Sequence, residues 1–416
     1  KCLIASLTSL VSLIPHNLRA CAVSGAQACD AFPGMCRGVG ARCGREACPK
    51  MGAMQVTMID ENKYAETMTD VVLPALEQCC EEGWFDPSAA ERSAGIEPLS
   101  GIMDTGGRSG QLHYLCYDSA KFDAIREQGA TATFRGAIVI SHGFTEFAEK
   151  YDELVWYFLL AGYSVCVLEH RGHGKSARDV DNRCMVWIDD WQRYVADLAG
   201  FAETIGQQYA AGMPLNLFCH SMGGGIGAAV LERYPTLFDK AVLSAPMIAP
   251  ATGMPLGVAR VLVGALCGLG FGKKRVFGQS DFTPEFSMEG NEGASEARER
   301  WYFKLRCENS EYQTYCAAFE WVRQALKLNR AILNPSACAE VETPVLLFQS
   351  GRDIWVLNKP QNHFVQLVKD GGGEANIVRF PESRHEIFSM PNSTYKPYLE
   401  KILGFYDDPM IACAAY

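Results

Sequence analysis

The sequence predicts an α/β protein in which a mostly parallel central sheet is covered by helices on both faces. Three observations support this fold class. Short apolar runs without polar alternation recur along the chain, segments of helical character separate them, and one long stretch without such runs interrupts the pattern. Continuous apolar runs are typical of strands that are buried on both faces, and helices are the usual connections between parallel strands.

The predicted strands lie at residues 112–117, 135–140, 164–168, 215–219, 241–244, 344–348 and 376–380. Helices are predicted at residues 151–160, 187–208 and 226–234. A shorter helix is predicted to begin at Pro74, since proline is tolerated in a first turn, and to run towards Glu82. In such sheets, ligands bind at the loops that follow the carboxyl ends of the strands, so we expect functional residues in these loops.

Residues 246–338 break the alternation, because they contain no convincing strand candidate. An apolar helix is predicted over residues 255–270, and residues 296–328 are mostly helical. The sheet then resumes, so we interpret the stretch as a helical lid inserted on the pocket side. The chain divides into an extension of doubtful order (residues 1–57), a first part of the core (58–245), the lid insertion (246–338) and a second part of the core (339–416).

Composition excludes some classes of function. The chain has 416 residues and a hydrophobic content of 48%, which fits a globular protein with a sizeable core. Its net charge of −10 argues against a nucleic-acid-binding protein, which carries a basic face. The 17 cysteines lack the paired spacing of a zinc site, and outside the first fifty residues most lie among apolar neighbours. We therefore expect reduced thiols, no metal and no cofactor.

The first 57 residues differ in character from the rest. An apolar run at residues 3–14 follows Lys1 and has the form of a signal-peptide core, although it is too short to span a bilayer. The alternative is a weakly folded or spurious extension, because Met51 is one of several alternative starts. The first interpretation predicts an exported protein. The second, which we favour, predicts a cytoplasmic protein that associates with membranes through the lid.

A serine stands at the most informative turn of the chain. Residues 215–225 are Leu-Asn-Leu-Phe-Cys-His-Ser-Met-Gly-Gly-Gly, an apolar run followed at once by small residues. A strand–turn–helix junction of the G-x-S-x-G type presents its serine, here Ser221, to a pocket and points the next amide at the same place. Cys219 stands where that pattern has its first glycine. The alternative interpretation is a glycine-rich helix start with an idle serine.

A serine hydroxyl is a weak nucleophile and needs a base within hydrogen-bonding reach. The chain has eight histidines. His385 follows the predicted strand at residues 376–380, at the edge of the sheet where Ser221 is expected. His385 is therefore the candidate base.

The base in turn needs a carboxylate that fixes its tautomer and stabilises the imidazolium. Asp353 is the candidate, because it follows the predicted strand at residues 344–348 at the same edge of the sheet. The order along the chain is then serine, aspartate, histidine, one of the known orders of this triad. Glu382 and Glu386 are rivals by their proximity to His385, but we expect both to be solvated.

Attack by Ser221 creates an oxyanion that needs two N–H donors. The candidates are the backbone amide of Met222, which follows the serine, and that of Phe144, in the loop after the strand at residues 135–140. Loss of one donor typically raises the barrier by about 3 kcal/mol. The geometry of this loop is therefore as consequential as the serine.

Residues 171–176, Arg-Gly-His-Gly-Lys-Ser, contain the glycines and lysine of a phosphate loop. They lack the spacing of that motif. We expect a packing turn that shapes the floor of the pocket.

Five motifs carry a resemblance to a known family: residues 142–146 (His-Gly-Phe-Thr-Glu), 171–176, 220–224 (His-Ser-Met-Gly-Gly), 351–353 (Gly-Arg-Asp) and 384–386 (Arg-His-Glu). Over about residues 100–406 the chain resembles the α/β-hydrolases of the monoacylglycerol lipase and bacterial lysophospholipase group. The resemblance implies the α/β-hydrolase fold with an inserted lid. It also implies the roles already assigned to the triad of serine, aspartate and histidine and to the two oxyanion donors. Cys219 departs from the glycine usual in the group.

The predicted helix at residues 255–270 bears on the substrate. It is apolar on most of its surface, interrupted by Arg260, and is followed by Lys273, Lys274 and Arg275. It either packs on the edge of the sheet or faces an acyl chain at an interface, with the cations near lipid headgroups. The second interpretation predicts a small lipid ester as substrate and peripheral membrane contact through the lid.

The first hypothesis is therefore a carboxylic ester hydrolase that cleaves a lysophospholipid or a monoacylglycerol through an acyl-enzyme intermediate. The alternative is a serine aminopeptidase that acts on short peptides. An acidic site in the lid that could hold a free amine would favour the alternative, and the apolar helix speaks against it. A third hypothesis is a non-catalytic binding protein on the same fold, which an intact triad disfavours.

Overall fold

The architecture is given by a computed structural model that describes residues 56–99, 110–125 and 132–408. The strands, in chain order, are β1 (Cys80–Phe85), β2 (Leu112–Tyr117), β3 (Gly136–Ser141), β4 (Tyr163–Leu168), β5 (Met185–Val186), β6 (Leu215–His220), β7 (Lys240–Ser244), β8 (Cys316–Ala317), β9 (Val345–Ser350) and β10 (Ala375–Phe380). Eight of them form one sheet in the order β1-β2-β4-β3-β6-β7-β9-β10, while β5 pairs with β8. β2 pairs antiparallel with both β1 and β4, and the strands from β4 to β10 in that order run parallel. The predicted fold class is confirmed.

The α-helices, in chain order, are Tyr64–Thr67, Leu73–Cys79, Ser88–Ser93, Ser119–Ile125, Asp152–Leu160, Gln192–Phe201, Gln207–Ala210, Ser221–Arg233, Leu256–Leu266, Glu296–Glu308, Phe319–Ala331, Pro335–Cys338, Asn358–Asp370 and Asn392–Asp407. π-helical segments adjoin some of them, at Met68–Val72, Ala202–Gly206 and Cys267–Phe271. Short 3₁₀ turns lie at Glu61–Lys63, Ala148–Tyr151, Ser310–Tyr312 and Ile387–Ser389. Within the described ranges, every helix is too short or too polar to traverse a lipid bilayer.

Alternate residues of the central strands pack into two apolar cores, one on each face of the sheet. On β3, Ala137 and Val139 belong to one core, whereas Ile138 and Ile140 belong to the other. All four side chains are buried. Because helices cover both faces, neither set of side chains needs to be polar, which is why the strand sequences do not alternate.

The parallel pairing brings the predicted site loops to one edge of the sheet. β3, β6, β9 and β10 point the same way, and their carboxyl ends are followed by Phe144, Ser221, Asp353 and His385 respectively. Residues more than two hundred positions apart in sequence are therefore neighbours in space. This edge is where open α/β sheets bind ligands.

The first part of the fold differs from the sequence prediction. The helix predicted to run from Pro74 towards Glu82 already begins at Tyr64 and ends at Cys79, and Cys80–Phe85 is strand β1. β1 forms an antiparallel ladder with β2. Its sequence, Cys-Glu-Glu-Gly-Trp-Phe, lacks an apolar run because an edge strand is partly exposed.

Two further predictions needed correction. The helix predicted over residues 187–208 begins at Gln192, whose amide donates to the Asp190 side chain at 3.0 Å. The stretch at residues 246–338 contains β8, which was missed because only two of its residues pair with β5. The proposed signal segment, with all of residues 1–55, lies outside the described residues, while Val56 is buried against the core.

The second half of the predicted insertion is fixed to the core. Arg298, on the helix Glu296–Glu308, is buried and forms two hydrogen bonds with Glu153, at 2.7 and 2.8 Å. Its guanidinium also donates to Asn392 at 2.7 Å. A buried bidentate pair of this kind holds the helix Glu296–Glu308 against the helix Asp152–Leu160, which carries Glu153.

The first half of the insertion packs less closely. The helix Leu256–Leu266 buries only Ala259 and Val263. Val261 and Leu269 are 74% and 75% exposed. This part of the chain therefore presents an apolar surface to solvent.

Candidate active site

Ser221 sits at a sharp junction between β6 and the helix Ser221–Arg233. Its φ of 51° lies in the left-handed region, which is strained for a residue with a side chain. Two backbone hydrogen bonds hold the junction: Met247 donates to the carbonyl of Ser221 at 2.7 Å, and Gly223 donates to that of His142 at 3.1 Å. The strained turn lifts the hydroxyl off the backbone, as the strand–turn–helix pattern predicts.

The glycines after Ser221 allow the helix to approach its neighbours. A Cβ at Gly223 would lie 2.1 Å from the carbonyl oxygen of Ser141, and one at Gly224 would lie 2.5 Å from Pro246. Cys219, which replaces the usual first glycine, is accommodated by Gly227, where an added Cβ would lie 2.4 Å from the cysteine sulfur. The larger side chain of Cys219 thus fits because Gly227, on the helix that follows, has no side chain.

The structure brings Ser221, His385 and Asp353 together. Nε2 of His385 lies 2.7 Å from Oγ of Ser221, and Nδ1 lies 2.7 Å from Oδ2 of Asp353. The other oxygen of Asp353 accepts from the amides of Trp355 and Val356 at 2.8 and 3.1 Å. The carboxylate is therefore held in place from the side opposite the histidine, and the serine and histidine are nine-tenths buried.

The electrostatics of the pair favour a charged histidine. Burial opposes charge on His385, but the carboxylate of Asp353 outweighs it and raises the pKa of His385 above its ordinary value. Burial likewise disfavours the charged form of Asp353, and the attraction of His385 and the two backbone amides nevertheless lower its pKa. The arrangement stabilises an imidazolium, the species that a general base becomes.

The rival carboxylates lie elsewhere. Glu382 is exposed and pairs with Arg352. Glu386 does not contact the ring of His385 through a hydrogen bond; it accepts from Lys150 at 2.6 Å, and its side chain is only 20% exposed. The expectation that Glu386 is solvated was therefore wrong, because a buried lysine on another element binds it.

The two candidate oxyanion donors come from different elements of the fold. Met222 is buried at the first turn of the helix, and Phe144 lies in the loop after β3, where the next residue, Thr145, has a φ of 65°. Neither amide donates a hydrogen bond to any residue that the structure describes. The ring of Phe144 packs against Trp321 of the insertion, with centroids 4.1 Å apart.

Three buried histidines lie beneath the Phe144 loop. His142 donates through Nδ1 to the Gly143 carbonyl at 2.7 Å and accepts the amide of His170 at 2.9 Å. Its ring is 4.7 Å from that of His170 and 5.2 Å from that of His173. Arg171, in the same turn, is buried against Glu91 and Asp197. These contacts are those of a packing turn.

The buried histidines predict a specific dependence of stability on pH. Burial lowers the pKa of His142, His170 and His173, and that of His220 to about 4. An unfolded chain takes up protons on these side chains near pH 6.5, whereas the folded chain does not. Each such histidine therefore lowers stability as the pH falls below that value, by up to about 1.4 kcal/mol per pH unit.

The expectation is tested as a difference, because other buried groups titrate over the same range. Chemical unfolding of His173→Gln should show a shallower loss of stability than the parent protein between pH 6.5 and about 5. The exposed His363, changed to Gln, is the matched control and should leave the slope unaltered. Equal slopes for the parent and His173→Gln would contradict a neutral His173.

Comparisons with known proteins show what the chain is similar to. The profile of the family described as serine aminopeptidase, S33 matches residues 132–392. The chain is 25% identical over 272 residues to a probable lysophospholipase L2 of Haemophilus influenzae, covering 65% of this chain and 83% of the relative. It is 34% identical over 131 residues to a monoacylglycerol lipase of Mycolicibacterium smegmatis, covering 31% and 45%.

Two solved structures resemble the fold. A carboxyl esterase from Bacillus coagulans superposes with a TM-score of 0.57 at 17% identity, covering 80% of this chain and 99% of the esterase. A monoglyceride lipase variant from Saccharomyces cerevisiae superposes with a TM-score of 0.55 at 17% identity, covering 71% and 91%. At this identity the likeness concerns the fold alone.

Proposed function

Because the chain belongs to the serine aminopeptidase S33 family, we propose that it is a serine hydrolase that cleaves a single-chain acyl ester, a lysophospholipid or a monoacylglycerol. The observation that carries the proposal is the unbroken chain of hydrogen bonds from Ser221 through His385 to Asp353, with both ring contacts at 2.7 Å. The lysophospholipase and monoacylglycerol lipase relatives support the substrate class.

In this mechanism Nε2 of His385 removes the proton of Ser221 as the hydroxyl attacks the ester carbonyl. Asp353 stabilises the imidazolium, and the amides of Phe144 and Met222 donate to the oxyanion. The imidazolium then protonates the leaving alcohol, which departs and leaves an acyl-enzyme. His385 next activates a water molecule, whose attack releases the fatty acid and restores the serine.

An apolar cavity beside Met222 supports a chain-like substrate. Its walls include Ile226 from the serine helix, Met247, and Trp321 and Leu328 from the insertion. Its volume of about 10 Å³ holds at most one water molecule, so an acyl chain can enter only if side chains of the wall, such as Trp321, move apart. Since this side chain lies on the insertion, we propose that the insertion acts as a lid over the acyl chain.

The proposal is tested by fluorophosphonate trapping and a substrate panel. We expect a fluorophosphonate to label Ser221, and the enzyme to hydrolyse 1-acyl lysophosphatidylcholine or monoacylglycerol faster than diacyl lipids. Aminoacyl anilides are the competing substrates, since they report the aminopeptidase alternative. Absence of labelling in folded protein would contradict the hydrolase proposal. Faster turnover of anilides than of esters would favour the aminopeptidase alternative over the ester substrates.

We also propose that the exposed apolar surface of the helix Leu256–Leu266 and the adjoining segment Cys267–Phe271 binds the surface of a lipid membrane. Val258, Val261, Leu269 and Phe271 are each at least 40% exposed. Lys274, just beyond this surface, is exposed as well. An apolar strip flanked by cations is the composition of an interfacial helix.

Vesicle sedimentation tests this contact. With vesicles of phosphatidylcholine and phosphatidylglycerol, Val261→Glu combined with Leu269→Glu should reduce the bound fraction several-fold, because both charges must enter the interface. Val71→Glu is the matched control, since Val71 is 51% exposed on a helix outside the insertion. Equal binding of all three proteins would contradict the proposed surface.

A further inference from the structure

A buried lysine lies behind the candidate active site. The side chain of Lys150 is 3% exposed, and its Nζ donates to Glu146 at 2.7 Å and to Glu386 at 2.6 Å. The ring of Tyr302, from the insertion, covers it at 4.2 Å. Burial disfavours the ammonium, but the two carboxylates outweigh this and raise the pKa of Lys150, so the group is charged.

The lysine lies within a cluster of residues that could otherwise bind a cation. Among the described residues, Glu146, His220 and Glu386 offer ligand atoms close enough together for a metal ion. The ammonium of Lys150 already bridges the two carboxylates, and Nε2 of His220 lies 3.5 Å from Glu146. The cluster is therefore a built ion network and not a vacant metal site.

Glu146 holds the loop that carries one oxyanion donor. Its second oxygen accepts the amide of Gly143 at 2.5 Å and the hydroxyl of Tyr151 at 2.6 Å. The hydroxyl of Tyr302 donates to the carbonyl of Thr145 at 3.1 Å, on the other side of Phe144. The loop is strained at Thr145, with a φ of 65°, and such a conformation persists only where its surroundings hold it.

Glu386 ties the same lysine to the loop of the base. It directly follows His385, and its second oxygen accepts the hydroxyl of Ser389 at 2.9 Å. One ammonium thus connects a carboxylate that fixes the Phe144 loop with a carboxylate next to the catalytic histidine. If the ammonium is removed, the buried Glu146 and the partly buried Glu386 face each other without a counter-charge, and both loops are expected to shift.

We propose that Lys150, with Glu146, is a positioning residue that holds the oxyanion loop and the histidine loop in register. The proposal rests on the proposed hydrolase function. Neither residue belongs to the triad or supplies an oxyanion donor. Their effect is exerted through the direction of the Phe144 amide, which acts only on the oxyanion and therefore on the transition state.

The test compares Lys150→Met with Lys240→Met. Lys240 is also a buried lysine, but it lies at the start of β7, at the edge of the sheet opposite the site, and its ammonium donates to the carbonyls of Phe405, Tyr406 and Asp408 at 2.7–2.9 Å. Both variants should lose stability. Only Lys150→Met should lose kcat, by about 10²-fold, with KM changed by less than about threefold.

A thionoester substrate separates positioning from general damage. Sulfur is larger than oxygen and a weaker hydrogen-bond acceptor, so a well-formed oxyanion hole favours the ester over its thionoester analogue. We expect this preference to decrease in Lys150→Met, and to be retained in Lys240→Met. Glu386→Gln provides a second variant that keeps the shape of the side chain, in case Lys150→Met does not fold.

The outcomes distinguish the two proposals. If the parent protein hydrolyses esters but Lys150→Met and Glu386→Gln keep its kcat and its ester preference, the positioning role is overturned and the function stands. If kcat falls in both lysine variants alike, the effect is structural and the positioning role is again rejected. An inactive parent protein that fails to react with fluorophosphonate overturns the hydrolase function itself.

Discussion

Asp353→Asn is expected to lower kcat by about 10⁴-fold without unfolding the protein. The oxygen of the new amide must accept the backbone amides of Trp355 and Val356, so its NH2 group faces Nδ1 and donates to it. His385 is then held in the wrong tautomer, and its imidazolium is no longer stabilised. Ser221→Ala and His385→Ala should have larger effects, each lowering kcat by about 10⁶-fold relative to the parent protein. Steady-state kinetics with a monoacylglycerol, alongside thermal unfolding of each variant, measures these losses.

The pH profile supplies a second readout. Asp353 raises the pKa of His385, and a protonated His385 cannot act as a base, so kcat/KM of the parent protein should fall as the pH drops through that raised pKa. In Asp353→Asn the residual activity should fall at a lower pH. Glu382→Gln is the control, because Glu382 pairs with Arg352 at the surface. A large loss in Glu382→Gln, or near-normal kcat in Asp353→Asn, would contradict the assigned triad.

The fold, and the convergence of Ser221, Asp353 and His385 at one edge of the sheet, could be predicted because both follow from local features of the sequence. Apolar runs mark strands buried on both faces, parallel pairing places their carboxyl ends at one edge, and His385 and Asp353 each follow such an end within a few residues. The strained φ of Ser221 likewise agrees with the small residues that surround it.

The buried ion network could not be predicted in the same way. Lys150 and Glu386 are separated by 236 residues, and each resembles an ordinary surface charge in its local sequence. Whether a charge is buried depends on which elements cover it, here the helix that carries Tyr302. Glu146 belongs to the motif at residues 142–146, but no spacing rule predicts that its carboxylate accepts the amide of Gly143. Strand β1 was missed for a related reason, since edge strands need no apolar run.

Gly223→Ala is expected to damage both the fold and the activity, although it adds a single methyl group. The new Cβ would lie 2.1 Å from the carbonyl oxygen of Ser141 and 2.6 Å from that of His142, and both are backbone atoms. The end of β3 and the loop of Phe144 must therefore move away from the serine helix. Overpacking of this kind destabilises proteins by about 1–3 kcal/mol or more.

Gly264→Ala is the matched control, because Gly264 also lies in a helix but has no atom within 4 Å of an added Cβ. Alanine there should stabilise the helix by up to about 1 kcal/mol. For Gly223→Ala we expect a lower midpoint of unfolding and, well below that midpoint, a loss in kcat of at least about 10²-fold, as when one oxyanion donor is removed. Normal kcat in folded Gly223→Ala would mean that the contact between the serine helix and the Phe144 loop does not set the oxyanion geometry. Lys150 could then not act through the Phe144 loop either, since both effects depend on the geometry of that loop.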